Sequence, residues 1–297
     1  MDVSFFLQLV INGLVVGSVY SLVALGFVII FKSTGVVNFA QGEFLLLGAY
    51  ISLAVVGQYH VPFWVAVIIT LVFSVLLGML IERLILRPMI GEPVISVIMV
   101  TLGLSSVLKA IVQGIWGTDT RPFPEIFPST PIQIGPLPVS QGYIYSVVCV
   151  AILLLLFTLF FKYSRVGVAM RATAFSQQVA QSMGISVRRM FALAWAIAPV
   201  VSAIGGILLG GVRGGVDAAL AAIGLKVIPV VILGGLDSII GAIVGGLIVG
   251  VLENLAGGYL DPLFGGGVKE VAPFVVLVLI LMIKPYGLFG KVHIDRV

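Results

Sequence analysis

The sequence predicts an all-α, polytopic membrane bundle of about eight or nine transmembrane helices, some short or broken, on three observations. Sixty per cent of the 297 residues are hydrophobic and 9% are charged, whereas a soluble domain carries roughly a quarter charged residues. Mean hydropathy is +1.25. The apolar residues come in repeated runs of about 20, the length a helix rising 1.5 Å per residue needs to cross roughly 30 Å of hydrocarbon. The chain reads as one membrane domain over 1–297.

In chain order, uninterrupted apolar stretches place spans at 5–31, 36–56, 62–81, 94–115, 142–161, 191–211, 219–233, 239–256 and 271–283. The start Met1-Asp2-Val3-Ser4 has no Lys or Arg before the first run. It makes a poor n-region for a cleaved signal, so 5–31 is expected to be a retained helix. The segment 219–233 is the weakest span, because it holds Lys226 and Pro229 and is short; it is expected to cross with a tilt, broken at Pro229. Cys149 lies inside an apolar run and is the one cysteine, which excludes an internal disulfide and a thiolate metal site.

The stretch 162–190 carries Lys162, Arg165, Arg171, Arg188 and Arg189 with no Asp or Glu. By the positive-inside rule it is a cytoplasmic loop. Counting back puts Arg83 and Arg87 inside and the Pro-rich loop 116–141, with Asp119, Arg121 and Glu125, outside. Counting forward puts the tail with Lys284, Lys291, Asp295 and Arg296 inside. The N-terminus is therefore expected outside and the C-terminus inside. A formal net charge of +4, so dispersed, argues against a nucleic-acid surface.

Glycines recur at helical spacing: Gly13 and Gly17, Gly206 and Gly210, Gly241 and Gly245, Gly246 and Gly250. Such pairs let helix backbones approach closely, either within the chain or against another subunit. Asn38, Gln41 and Glu43 fall at the start of the second span, bracketed by Gly35 and Gly42. A carboxylate in hydrocarbon is costly unless it faces protein or water. Two readings stand: a broken helix whose polar groups meet a solute, or a segment starting at the interface with Glu43 favourably placed in a first turn. Leu233 to Gly241 is a second interruption at the same side. Asn12 on the first helix either lines a path or bonds a neighbouring helix. Lys109, Glu253 and Asn254 lie near span ends, where a structural role is expected.

Within the cytoplasmic loop, Ser176 to Gly184 has an N-cap serine and a C′ glycine. Phe175 is placed to staple onto the first turns, and Val179 and Met183 are four apart on one face. This describes a short amphipathic helix, either packed on its own bundle or docked in a groove on a partner.

The sequence has no P-loop, no His-Glu-x2-His and no Gly-x-Ser-x-Gly, and its two histidines are His60 and His293. Its motifs resemble the permease subunits of branched-chain amino-acid ABC importers, over nearly the whole chain. The marks are Asn12-Gly-Leu-Val-Val-Gly-Ser-Val-Tyr20, Val37-Asn-Phe-Ala-Gln-Gly-Glu43, Arg171-Ala172 followed by Met183-Gly-Ile185, Val231-Ile-Leu-Gly-Gly-Leu236, and Lys284-Pro-Tyr-Gly-Leu-Phe-Gly290. The resemblance implies a bacterial inner-membrane subunit, pairing with a second permease or a copy of itself. It further implies two cytoplasmic ATPases that carry ATP and Mg, no cofactor in this chain, and a periplasmic binding protein that delivers leucine, isoleucine, valine or a related solute.

The resemblance also makes Asn38, Gln41 and Glu43, with Asn12, candidates for the solute path. Arg171, Ser176, Val179, Met183 and Gly184 become the segment that couples to the ATPases. Three departures from the family pattern stand out: Gln41 where histidine is expected, Ser176 where an acid is expected, and the added charge of Asp237. The rival from another class is a secondary carrier or channel in which Glu43 couples protons or selects ions; an intramembrane enzyme or scaffold is a third.

Overall fold

The computed structural model describes residues 3–128, 130–134 and 137–290. The predicted tail charges Lys291, Asp295 and Arg296, His293, and the leading Met1-Asp2 lie outside the described residues. Among those described, twelve α-helices occur. They are α1 (Val3–Thr34), α2 (Gln41–Gly57), α3 (Phe63–Ile81), α4 (Val94–Trp116), α5 (Gln141–Tyr163), α6 (Arg165–Phe175), α7 (Gln177–Ser182), α8 (Val187–Arg213), α9 (Ile223–Gly234), α10 (Ile239–Leu255), α11 (Asp261–Phe264) and α12 (Val268–Ile283).

Each of the nine expected spans falls on a helix. Six stretches are long and apolar enough to cross a membrane: α1, α4, α5, α8, and α3 and α10 lengthened by the turns that follow them. α2 and α9, the latter counted with the 3-10 turn before it, are shorter apolar helices.

The central element is α1, whose C-terminal two-thirds is buried against α5, α8, α9 and α10. α2 packs between α8 and α3, while α4 and α5 flank the bundle. Large side chains such as Ile95, Met99 and Ile111 on α4, Ile152 and Leu155 on α5, and Val275 and Leu279 on α12 point outward. Water would penalise such a surface and hydrocarbon would not.

Glycines set how closely α1 and α10 pack. A Cβ on Gly17 would stand 2.7 Å from the carbonyl oxygen of Gly246, and one on Gly13 would stand 2.6 Å from the Cα of Val251. The remaining pairs meet elements of the same chain too, Gly206 at the Leu45 carbonyl, Gly210 at Phe123 and Gly241 at the Gly234 carbonyl. For these glycines the close approach is internal.

Three expectations are corrected. The second helix starts at Gln41 and not at 36, because α1 runs on to Thr34 and Gly35, at φ +73°, closes it. Gly42 does not break a helix. It lies inside α2, where its backbone abuts that of Gly224 in α9, so it marks a helix crossing. Pro229 does not break the short span either, since α9 is continuous through it. The irregularity lies upstream, where the 3-10 turn Ala218–Ala222 feeds α9 after the Asp217 carboxylate accepts from the Ala219 amide. That turn adds length, so 3-10 and α segments together span close to the bilayer thickness.

The loop 116–141 contains the hairpin β2 (Pro131–Ile134) and β3 (Leu137–Ser140) and, before it, β1 (Arg121–Pro122), which pairs with β4 (Gly215–Val216) after α8. At the opposite end the motif 284–290 folds back on the α9–α10 turn: the amides of Leu288 and Phe289 donate to the carbonyls of Leu233 at 2.8 Å and Gly234 at 3.1 Å. Two of the family marks are thus one structural unit.

Candidate functional site

The turn from α1 to α2 is built by Asn38. Its carboxamide oxygen accepts from the Ala40 amide at 3.0 Å, which diverts the chain from helix until Gln41, as asparagine does in local turns. Its nitrogen donates to the Gln41 oxygen at 3.2 Å. The Gln41 nitrogen in turn donates to the Ser202 hydroxyl of α8 at 2.7 Å, its amide passing over Gly26 of α1. Asn38, Gln41 and Ser202 are fully buried. An amide buried without partners costs several kcal/mol, and here both ends of the Gln41 amide are used. Glutamine at this position joins α1, α2 and α8 without a titratable group.

Glu43 is buried as well but faces elsewhere. Two residues on along a helix it points to α4, where Ser105 and the positive charge of Lys109 form its polar surroundings. Lys109 therefore has an inward electrostatic partner on the same helix face as Ser105. Asn12 is separated from all three. It stands about six turns of α1 away from Thr34 and lines a cavity of about 260 Å³ with Gln8, Tyr143 and the β2–β3 hairpin.

At the end of the bundle that carries α6 and α7, Ser176 caps α7 by accepting from the Val179 amide at 3.3 Å. The amide of Ile185 reaches the Ala180 carbonyl at 2.9 Å and that of Gly184 the Gln181 carbonyl at 2.9 Å, with Gly184 at φ +80°. This is the Schellman ending that the sequence signalled. Ala180 is buried against the bundle, while Val179 is 60% and Met183 77% exposed. The helix both packs on its own chain and presents an apolar face outward. Phe175 is 90% exposed, so the expected staple does not form. Arg171 is turned away from this face: its guanidinium donates to the Phe161 carbonyl, tying α6 to the end of α5.

One group of residues was missed. Glu253 of α10, 1% exposed, accepts from the Tyr20 hydroxyl at 2.7 Å through one oxygen and pairs with Lys226 of α9 at 2.8 Å through the other. Lys226 also meets Glu270 of α12 at 2.9 Å. Four helices converge on this chain of charges, with Tyr20 near the middle of α1. Glu253 takes the structural role expected of it, but through a side chain held inside the bundle by Tyr20 and Lys226. The signal was available: an intramembrane Lys and an intramembrane Glu each need a partner.

The family model described as "Branched-chain amino acid transport system / permease component" matches residues 9–283. The chain belongs to this family. Similar proteins include the high-affinity branched-chain amino acid transport system permease protein LivH of Salmonella typhimurium, 30% identical over 99% of this chain and 98% of that protein. BraD of Pseudomonas aeruginosa, which carries the same description, is 30% identical over 100% and 99%. A probable LivH of Methanocaldococcus jannaschii is 28% identical over 95% and 92%. Among solved structures, PsaBC of Streptococcus pneumoniae in complex with Fab matches with a TM-score of 0.52 and 18% identity, over 95% of this chain and 92% of that one. That last likeness concerns fold alone. The permease is a multi-pass membrane protein of the amino-acid transport class.

Proposed function

We propose that this permease is one of two transmembrane subunits of an ATP-driven importer of branched-chain or related neutral amino acids. The observation that carries the reading is the near-complete match to branched-chain amino acid permeases. Joined to it is the outward apolar face of α7, which no described residue of the chain covers. A groove on an ATPase subunit would bury Val179 and Met183. ATP and Mg bind on two such subunits, a second permease or another copy completes the translocation path, and a periplasmic protein delivers the solute.

The bundle sits in the bacterial inner membrane with its N-terminus outside and its C-terminus in the cytoplasm. This orientation is supported by the basic residues Lys32, Arg87, Lys162 and Arg165 gathering at the end that carries α6 and α7. Closure of the ATPases on ATP displaces α7, and the bundle alternates between outward and inward access. Asn38, Gln41 and Ser202, at the junction of three helices, are the groups whose partners change when α1, α2 and α8 shift.

The test is uptake of labelled leucine into proteoliposomes holding the full assembly, with ATP inside or out. Accumulation that requires ATP and the binding protein is expected. Solute movement down a gradient by this chain alone would move the reading to a carrier or channel.

A further inference from the structure

Beside α7's end of the bundle lies a cavity of about 230 Å³ whose lining includes Lys32, Lys162, Arg171 and Asp237. Three cations from three helices face one carboxylate. Lys32 donates to the Asp237 carbonyl at 2.8 Å and Arg171 to the Phe161 carbonyl. The Lys162 ammonium lies 5.2 Å from the ring centre of Tyr163. Among the described residues neither Lys162 nor Arg171 forms an ion pair. A backbone oxygen orients Arg171 without neutralising it, and these two cations alone outweigh Asp237.

The walls of the cavity also include Ile240 and Phe289, both partly exposed, so apolar surface adjoins its basic residues. Basic side chains at the ends of spans, beside an apolar flank, match a head group whose acyl chains run along the helices.

We propose that this cavity binds the phosphate of an anionic phosphoglycerol group, supplied by a membrane phospholipid, with Lys162 and Arg171 as its charge partners and Asp237 as the group that limits its affinity. That the lipid comes from the cytoplasmic leaflet rests on the orientation proposed above; the binding itself does not.

The experiment is titration of the purified full chain in neutral detergent with phosphatidylglycerol, phosphatidylcholine and soluble glycerol phosphate, read by native mass spectrometry. Phosphatidylglycerol is expected to bind in preference to phosphatidylcholine. Lys162→Gln and Arg171→Gln should each weaken it roughly fivefold, the value of one basic charge near an anionic head group. Asp237→Asn should tighten it severalfold, an opposite sign that a loss of folding does not produce. Glycerol phosphate binding as tightly as the lipid, with the same response to the variants, would assign the site to a free phosphate ester. Affinities unmoved by all three variants, or equal for the two lipids, would overturn the site. Micelles have no sides, so that failure leaves the orientation standing; labelling of Ser182→Cys in intact cells reports on the orientation by itself.

Discussion

The ammonium of Lys226 lies 2.8 Å from a carboxylate oxygen of Glu253 that is buried inside the bundle, and the Tyr20 hydroxyl holds the other oxygen at 2.7 Å. Removing one member of a buried pair strands the other, at a cost of about 3 to 5 kcal/mol, whereas removing both together costs far less. Lys226→Met is therefore expected to lower stability by roughly 3 kcal/mol. Lys226→Met with Glu253→Met should recover most of the loss. Thermal unfolding in detergent of both single variants and the double gives the coupling energy; additive losses would mean that the pair does not hold α9 to α10.

Gln41 uses both ends of its amide. Gln41→Leu leaves Asn38 and Ser202 short of a partner each, at about 1 to 3 kcal/mol per stranded group, and uptake should fall with the melting temperature. Gln41→His, which keeps a donor and an acceptor, is expected to retain more of both. Equal behaviour of the two variants in uptake and unfolding would remove Gln41 from the junction's essential bonds.

Exposed and buried positions on α7 should separate coupling from folding. Met183→Asp and Val179→Asp change side chains that touch little of the permease, so the melting temperature should stay within a degree or two while uptake drops at least tenfold. Ala180→Asp places a charge at a buried position and should unfold the helix or the bundle. Uptake and ATPase stimulation measured on the same preparations decide it; full uptake by Met183→Asp would exclude this face as the docking surface.

Gly17 faces the backbone of Gly246. Gly17→Leu cannot be accommodated by rotating a side chain, since what it meets is a carbonyl. Overpacking of this kind costs about 1 to 3 kcal/mol or more, and a lowered yield of folded permease after gentle extraction should report it. Gly103→Ala, where a Cβ would meet open space on the α4 surface, is the matched control and is expected to be neutral.

The helices were legible because a run of apolar residues long enough to cross a bilayer has few other uses, and the cap and ending of α7 because serine and glycine leave local marks. Chemistry at a distance was not. Nothing near Gln41 in the sequence points to Ser202, and nothing near Glu253 points to Tyr20 or Lys226. α6 was missed for a different reason. Arg-Val-Gly-Val-Ala-Met-Arg-Ala-Thr-Ala-Phe has neither the length of a span nor a clean polar face, and its burial against α5 and α8 supplies what periodicity does not.

The joints on either side of α6 bear on how force travels. Ser164 alone separates α5 from α6, and Ser176 alone separates α6 from α7. Each serine ends one helix through its amide, to the carbonyls of Phe160 and Ala172, and begins the next through its hydroxyl. A single residue offers two soft backbone torsions and no spare chain. Three helices pinned end to end leave no slack in the chain, so under the docking proposed above a displacement of α7 would reach the span α5 as rotation about two serines.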